Sequence, residues 1–183
     1  TFIAHMGFPN WAKNILFLLV YMISGLILVI IIEGLLSGSD LTPLNTAIER
    51  VVVQMRTPYL TTFLVWVTKV GNPFILASVA VFLTVMLILR GYAYEATLFL
   101  VALIVAVLSF TALKNIFQIS RPVSELYQTD GWSFPSGHAT VATTFFFMLI
   151  YSLFGKLKTA KGKTLLIFGS ILGTLIICFS RLY

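Results

Sequence analysis

The chain has 183 residues, 59% hydrophobic and only 10% charged, against roughly a quarter charged in a soluble domain, and this excludes an ordinary water-soluble globular protein. Its formal charge of +6 does not point to nucleic acid, because Lys156, Lys158, Lys161 and Lys163 crowd one short loop beside apolar runs, as cytoplasmic loops of membrane proteins do. A single cysteine, Cys178, excludes an intrachain disulfide and reads as a lipid-facing or packed small side chain.

Five apolar runs follow one another: Ile15 to Leu36, Thr62 to Leu89, Ala96 to Leu113, Ala139 to Phe154 and Thr164 to Phe179. Their lengths scatter around the roughly 20 residues a helix needs to cross about 30 Å of hydrocarbon, and the last two need their flanks to reach it. Lipid offers no partner to open backbone groups, and the spacing is not that of barrel strands. The expected fold is therefore an all-α, polytopic transmembrane helix bundle, a single domain over residues 1–183. The chain opens at Thr1 rather than at a methionine, so both ends read as trimmed. His5, among Phe2, Phe8 and Trp11, reads as an interfacial residue.

After the first run, Ser37-Gly38-Ser39-Asp40 breaks the helix, and Thr42 with Pro43 predicts a new helix start. Leu44, Ile48, Val51, Val52 and Met55 then recur at helical spacing, with Glu49, Arg50 and Arg56 elsewhere around the axis. This predicts an amphipathic helix on the membrane surface, either a plain connector or a segment touching substrate. Gly71-Asn72-Pro73 interrupts the second run, which is expected to be a short interfacial turn and then a span from Phe74. Glu33 and Lys69 read as snorkelling side chains.

If the lysine-rich loop is cytoplasmic, alternation places Lys13 and Arg90 inside, and the segments after the first, third and fifth spans outside. Lys114, Arg121, His138 and Arg181 then share the outer face, although they come from three stretches of chain. Lys114 ends the third span, and Pro122 imposes a non-helical conformation on Arg121. Taken singly, each cation at a span's end is explained by snorkelling, and Pro135-Ser136-Gly137-His138 by a helix N-cap. Together they form an oxyanion site: a point charge, a bidentate fork and the N–H groups of a helix starting after Gly137, with phosphate as the expected guest. His138, with an unperturbed pKa near neutrality, is suited to protonate a departing alkoxide. Ser124, Glu125 and Asp130 read as solvated loop residues. With His5, His138 and Cys178 as the only histidines and cysteine, and no carboxylate cluster near the motifs, neither a metal nor another cofactor is expected.

Lys114, six residues, then Arg121-Pro122, followed by Pro135-Ser136-Gly137-His138 and by Ser180-Arg181, resembles the three signatures of the type-2 phosphatidate phosphatase (PAP2) superfamily. The resemblance implies six spans in the full protein. It also implies phosphate-holding roles for Lys114, Arg121, Ser136, Gly137 and Arg181, and leaving-group protonation by His138. A histidine that attacks phosphorus to form a phosphohistidine, and its acidic partner, would lie beyond Tyr183.

The expected activity is that of a membrane phosphatase acting at the outer leaflet, in a bacterial cytoplasmic membrane. Its substrate would be a polyprenyl diphosphate, phosphatidylglycerol phosphate, phosphatidate or glycolipid phosphate, with membrane lipids and no nucleic acid as its other partners. The alternative is a non-catalytic lipid-phosphate binder of the same fold. A channel is disfavoured by the scarcity of ionisable residues in the spans, and the soluble vanadium haloperoxidases of the wider superfamily fit these apolar runs poorly.

Overall fold

The computed structural model describes residues 10–37, 42–119 and 131–183, and among these every regular element is a helix. The chain divides into two compact units, residues 1–57 and 58–183. The first contains α1 (Asn10–Ser37) and α2 (Thr42–Gln54). Residues 22 to 30 of α1 are exposed all round, as expected of a helix bathed in lipid. It stops at Ser37 and α2 opens at Thr42, where the sequence placed the break, while Gly38, Ser39 and Asp40 lie outside the described residues. His5 lies outside them as well.

The second unit holds α3 (Pro58–Val70), α4 (Pro73–Leu89), α5 (Ala93–Phe117), α6 (Gly137–Phe154) and α7 (Ala160–Leu182). Helices α5, α6 and α7 are each long and apolar enough to cross a membrane. The pair α3 and α4 passes the same test only together, bent by 48° at the break between them. Among the residues described in full these make three candidate spans, or four if the bent pair is one. The bend has a definite cause. Asn72 Oδ1 accepts from the Phe74 N–H at 2.8 Å and Pro73 occupies the first turn, so α4 starts afresh there. What precedes the break is not a short turn but a 13-residue helix beginning at Pro58, about 20 Å long and too short to span by itself.

Helices α4 to α7 run alternately up and down, and contacts far apart in sequence fix which ends meet. Lys156, after α6, bonds Glu95 in the first turn of α5 at 2.7 Å and the Ser152 carbonyl at 2.8 Å, and stands 4.0 Å over the Tyr92 ring. Arg90, Tyr92, Glu95 and the Lys156–Lys163 loop thus share one end. Gly91 makes the turn between α4 and α5 with φ +79°, a left-handed conformation that glycine adopts without a Cβ clash.

Between the ends, Leu76, Ala80, Phe99, Leu103, Val141, Ala142, Phe145, Met148 and Ile177 form the core. Phe99 meets Phe145 edge to face at 5.8 Å. Lipid tails are as apolar as leucine, so these helices are held by close packing rather than by escape from water. Three hydroxyls inside the apolar segments are satisfied within their own helices: Thr84 donates to the Ala80 carbonyl at 2.8 Å, and Thr144 and Thr174 donate four residues back at 2.9 Å.

The α6–α7 contact is close at Gly173, where a Cβ would stand 2.6 Å from Phe146 Cζ, whereas at Gly169, one turn earlier, a Cβ would meet nothing within 4 Å. Gly173→Val is expected to destabilise the protein by about 1–3 kcal/mol through overpacking. Gly169→Ala should be neutral or stabilising by up to about 1 kcal/mol. Thermal unfolding of the two detergent-solubilised variants checks the contrast, and equal midpoints would remove this contact from the determinants of the bundle.

Candidate functional site

The end of the second unit opposite the lysine-rich loop gathers the termini of three helices. Helix α5 finishes with Lys114 in its last turn, half-buried and 6.0 Å from the centre of the Phe110 ring, and runs one turn beyond the Leu113 boundary read from hydropathy. Gln118 then closes α5 in a left-handed conformation, φ 47°, its N–H donating to the Lys114 carbonyl at 3.1 Å. That carbonyl is thereby satisfied at the point where the chain leaves the helix.

The neck of the following loop is pinned. The backbone N–H and Oγ of Ser133 both donate to the Ile119 carbonyl, at 2.8 and 3.0 Å, and Phe117 packs edge-on against Phe134 at 5.7 Å. Arg121, Ser124, Glu125 and Asp130 lie outside the described residues.

From the neck the chain enters α6 through Ser136, the N-cap, whose Oγ accepts from the Ala139 N–H at 3.4 Å. The Thr140 hydroxyl and N–H turn back onto the Ser136 carbonyl at 2.9 and 3.0 Å. The cap role expected of Ser136 is present. Gly137 is buried, and a Cβ there would lie 3.1 Å from Phe110 Cε2, so its lack of a side chain lets α6 start against α5. His138 follows, half-buried in the first turn of a helix whose opening N–H groups carry positive partial charge. From α7 comes Arg181, half-buried in the last turn, next to the buried Ser180.

Lys114, Ser136, Gly137, His138 and Arg181 are therefore all at one end of the helix unit, as alternation of the spans predicted. Three cationic or titratable side chains and one helix N-terminus on a common face make an arrangement suited to an anion of high charge density. Among the described residues no group of three or more His, Cys, Asp or Glu is placed to hold a metal ion.

Two features escaped the sequence reading. The Glu95–Lys156 pair, 61 residues apart, joins segments that hydropathy treats as unrelated. The docking of α3 along the last turns of α7 carries no local signal either, although the Gly71-Asn72-Pro73 break did mark where α3 ends. Lys69 is exposed and stacks 5.3 Å from the Trp66 ring, in keeping with the snorkelling reading.

Residues 95–183 match the family model of the PAP2 superfamily, and this stretch contains every motif quoted above. That stretch is similar to the PAP2 superfamily. A comparison with curated proteins finds no match. Among solved structures, the chain is similar to one described as the first transmembrane PAP2 type phosphatidylglycerolphosphate phosphatase from Bacillus subtilis. That similarity has a TM-score of 0.74 and 20% sequence identity, over 85% of this chain and 80% of that one. At that identity the likeness establishes the fold, which is that of a transmembrane PAP2 protein. The apolar helices and this fold together make the chain an integral membrane protein.

Proposed function

We propose that this PAP2 protein is a membrane phosphatase that removes phosphate from a lipid phosphomonoester or diphosphate at the outer face of a bacterial cytoplasmic membrane. The observation that carries the reading is the gathering of Lys114, Ser136, Gly137, His138 and Arg181 at the end of the helix unit opposite the Lys156–Lys163 loop. In this reading Lys114, Arg121 and Arg181 hold the phosphate oxygens, with the N–H groups that follow Gly137 completing the cradle. His138 gives its proton to the leaving alkoxide as the phosphorus–oxygen bond breaks. The nucleophile is the histidine that the family's third signature supplies: it forms a nitrogen–phosphorus bond, which water then cleaves. Fixed cations do the charge neutralisation that a metal would otherwise do, and the hydrophobic tail of the substrate stays in the bilayer. The structural neighbour's name makes phosphatidylglycerol phosphate the first substrate to test, beside polyprenyl diphosphate, phosphatidate and glycolipid phosphates.

The full-length protein in detergent micelles is expected to release phosphate from one of these lipids with EDTA present, and orthovanadate should inhibit it as a pentacoordinate mimic of the phosphoryl group. An absolute requirement for a divalent metal, or a preference for soluble sugar phosphates over every lipid tested, would refute the assignment. Phosphate binding without turnover would instead identify a lipid-phosphate binder.

The outward orientation has its own check. In intact cells a cysteine introduced at Thr129 should react with a membrane-impermeant thiol reagent and one at Gly162 should not. The reverse pattern would overturn the outer-leaflet assignment.

A further inference from the structure

Helix α3 carries none of the family signatures, yet it is fastened to the turn of α7 that presents Arg181. The Thr68 hydroxyl donates to Ser180 Oγ at 3.0 Å and also lies 3.4 Å from the Ser180 carbonyl. Ser180 in turn donates to the Ile177 carbonyl at 2.7 Å. Ser180 is only 8% exposed, so this relay lies in a protected seam, where a hydroxyl bond has few water molecules to compete with it. A second tie, between Thr61 Oγ1 and the Tyr183 hydroxyl at 2.8 Å, grips α7 on the other side of Arg181. Gly71 completes the contact: its missing side chain leaves room for Ile177, whose Cγ atoms would stand 2.9 Å from a Cβ.

From this seam we infer that Thr68 is a positioning residue for the anion site, acting through Ser180 to fix the direction in which Arg181 leaves α7. The inference rests on the phosphate-binding role proposed above for Arg181. The physical argument is one of leverage. A guanidinium must be aimed to within a fraction of an ångström and some 10–20° to meet two oxygens at once. Ser180 is the residue immediately before Arg181, so a bond that stops rotation of its backbone also stops rotation of the next Cα. Thr68 touches no phosphate in this scheme, and its effect passes entirely through α7.

Four substitutions in the full-length protein test this, read by the affinity for orthovanadate in detergent, measured by calorimetry. Thr68→Val keeps the shape and removes the donor. Orthovanadate affinity should fall about five-fold, the loss expected from one neutral hydrogen bond, with the thermal midpoint close to native. Thr68→Ser, which restores the hydroxyl, should recover native affinity. Thr62→Val, which removes a hydroxyl bonded only to the Pro58 carbonyl of its own helix, should do nothing to the affinity. In an Arg181→Lys background Thr68→Val should add no further loss, because the aimed fork is already gone, whereas a merely stabilising contact would give additive losses. Native affinity in Thr68→Val, failure of Thr68→Ser to rescue, or additivity with Arg181→Lys would each overturn the positioning role alone. Absence of any orthovanadate binding by the native protein would overturn the phosphate site itself and this role with it.

Discussion

Replacing His138 with alanine in the full-length protein is expected to slow hydrolysis of a lipid phosphate by about two to four orders of magnitude while leaving orthovanadate affinity little changed. The split follows from where the residue stands. His138 lies in the first turn of α6, behind a cap made by Ser136 and beside a backbone packed on Phe110. Truncating its ring leaves the cap, the opening N–H groups of the helix and the cations of α5 and α7 in place, so the cradle survives. What would disappear, on the proposed mechanism, is the proton donor for an alkoxide that is a poor leaving group without one. Turnover should therefore fall with little change in the concentration of substrate that half-saturates the enzyme. A folded His138→Ala protein that hydrolyses substrate at the native rate would remove His138 from the chemistry.

Arg121→Lys and Arg181→Lys are each expected to cost about ten- to hundred-fold in catalytic efficiency, the scale of one charge-assisted hydrogen bond, although net charge is unchanged. An ammonium is a compact, strongly hydrated point charge and cannot offer two parallel N–H groups to two oxygens of one phosphoryl group. Steady-state rates on the preferred lipid, with circular dichroism to establish folding, decide the matter. Lysine variants as active as the native enzyme would mean that the two arginines supply only a general positive field, and the two-pronged contact would have to be abandoned.

These predictions rest on features with different visibility in the sequence. Ser136 could be read as a cap because that property depends on neighbours one to three residues away. The close approach of Gly137 to Phe110 of α5 could not be read, since nothing in the intervening chain encodes the distance between the two helices. Lys156 shows the same division. Its charge marked a loop for the cytoplasmic side, yet its bond to Glu95 and its place over Tyr92 depend on the antiparallel docking of α5 and α6. Arg121 belongs to the sequence alone, its position lying outside the described residues.

The sequence by itself determined that the chain is an apolar helical membrane protein, where most of its helices start and stop, and that its motif residues alternate onto a common face. Hydropathy, caps and charge act over one to a few turns, and the bilayer converts them directly into spans and sides. Only the tertiary structure decided that the segment before Gly71 is a separate helix lying along the end of α7. Gly71-Asn72-Pro73 marks a break in the apolar run, but neither the 48° bend nor the place where α3 docks is encoded in the residues beside it. The bonds that fasten α3 to α7, Thr68 to Ser180 and Thr61 to Tyr183, join positions 112 and 122 residues apart. Such pairs are chosen by packing, in which each hydroxyl takes the partner that the arrangement of whole helices leaves within reach, and no local periodicity of the chain records that choice.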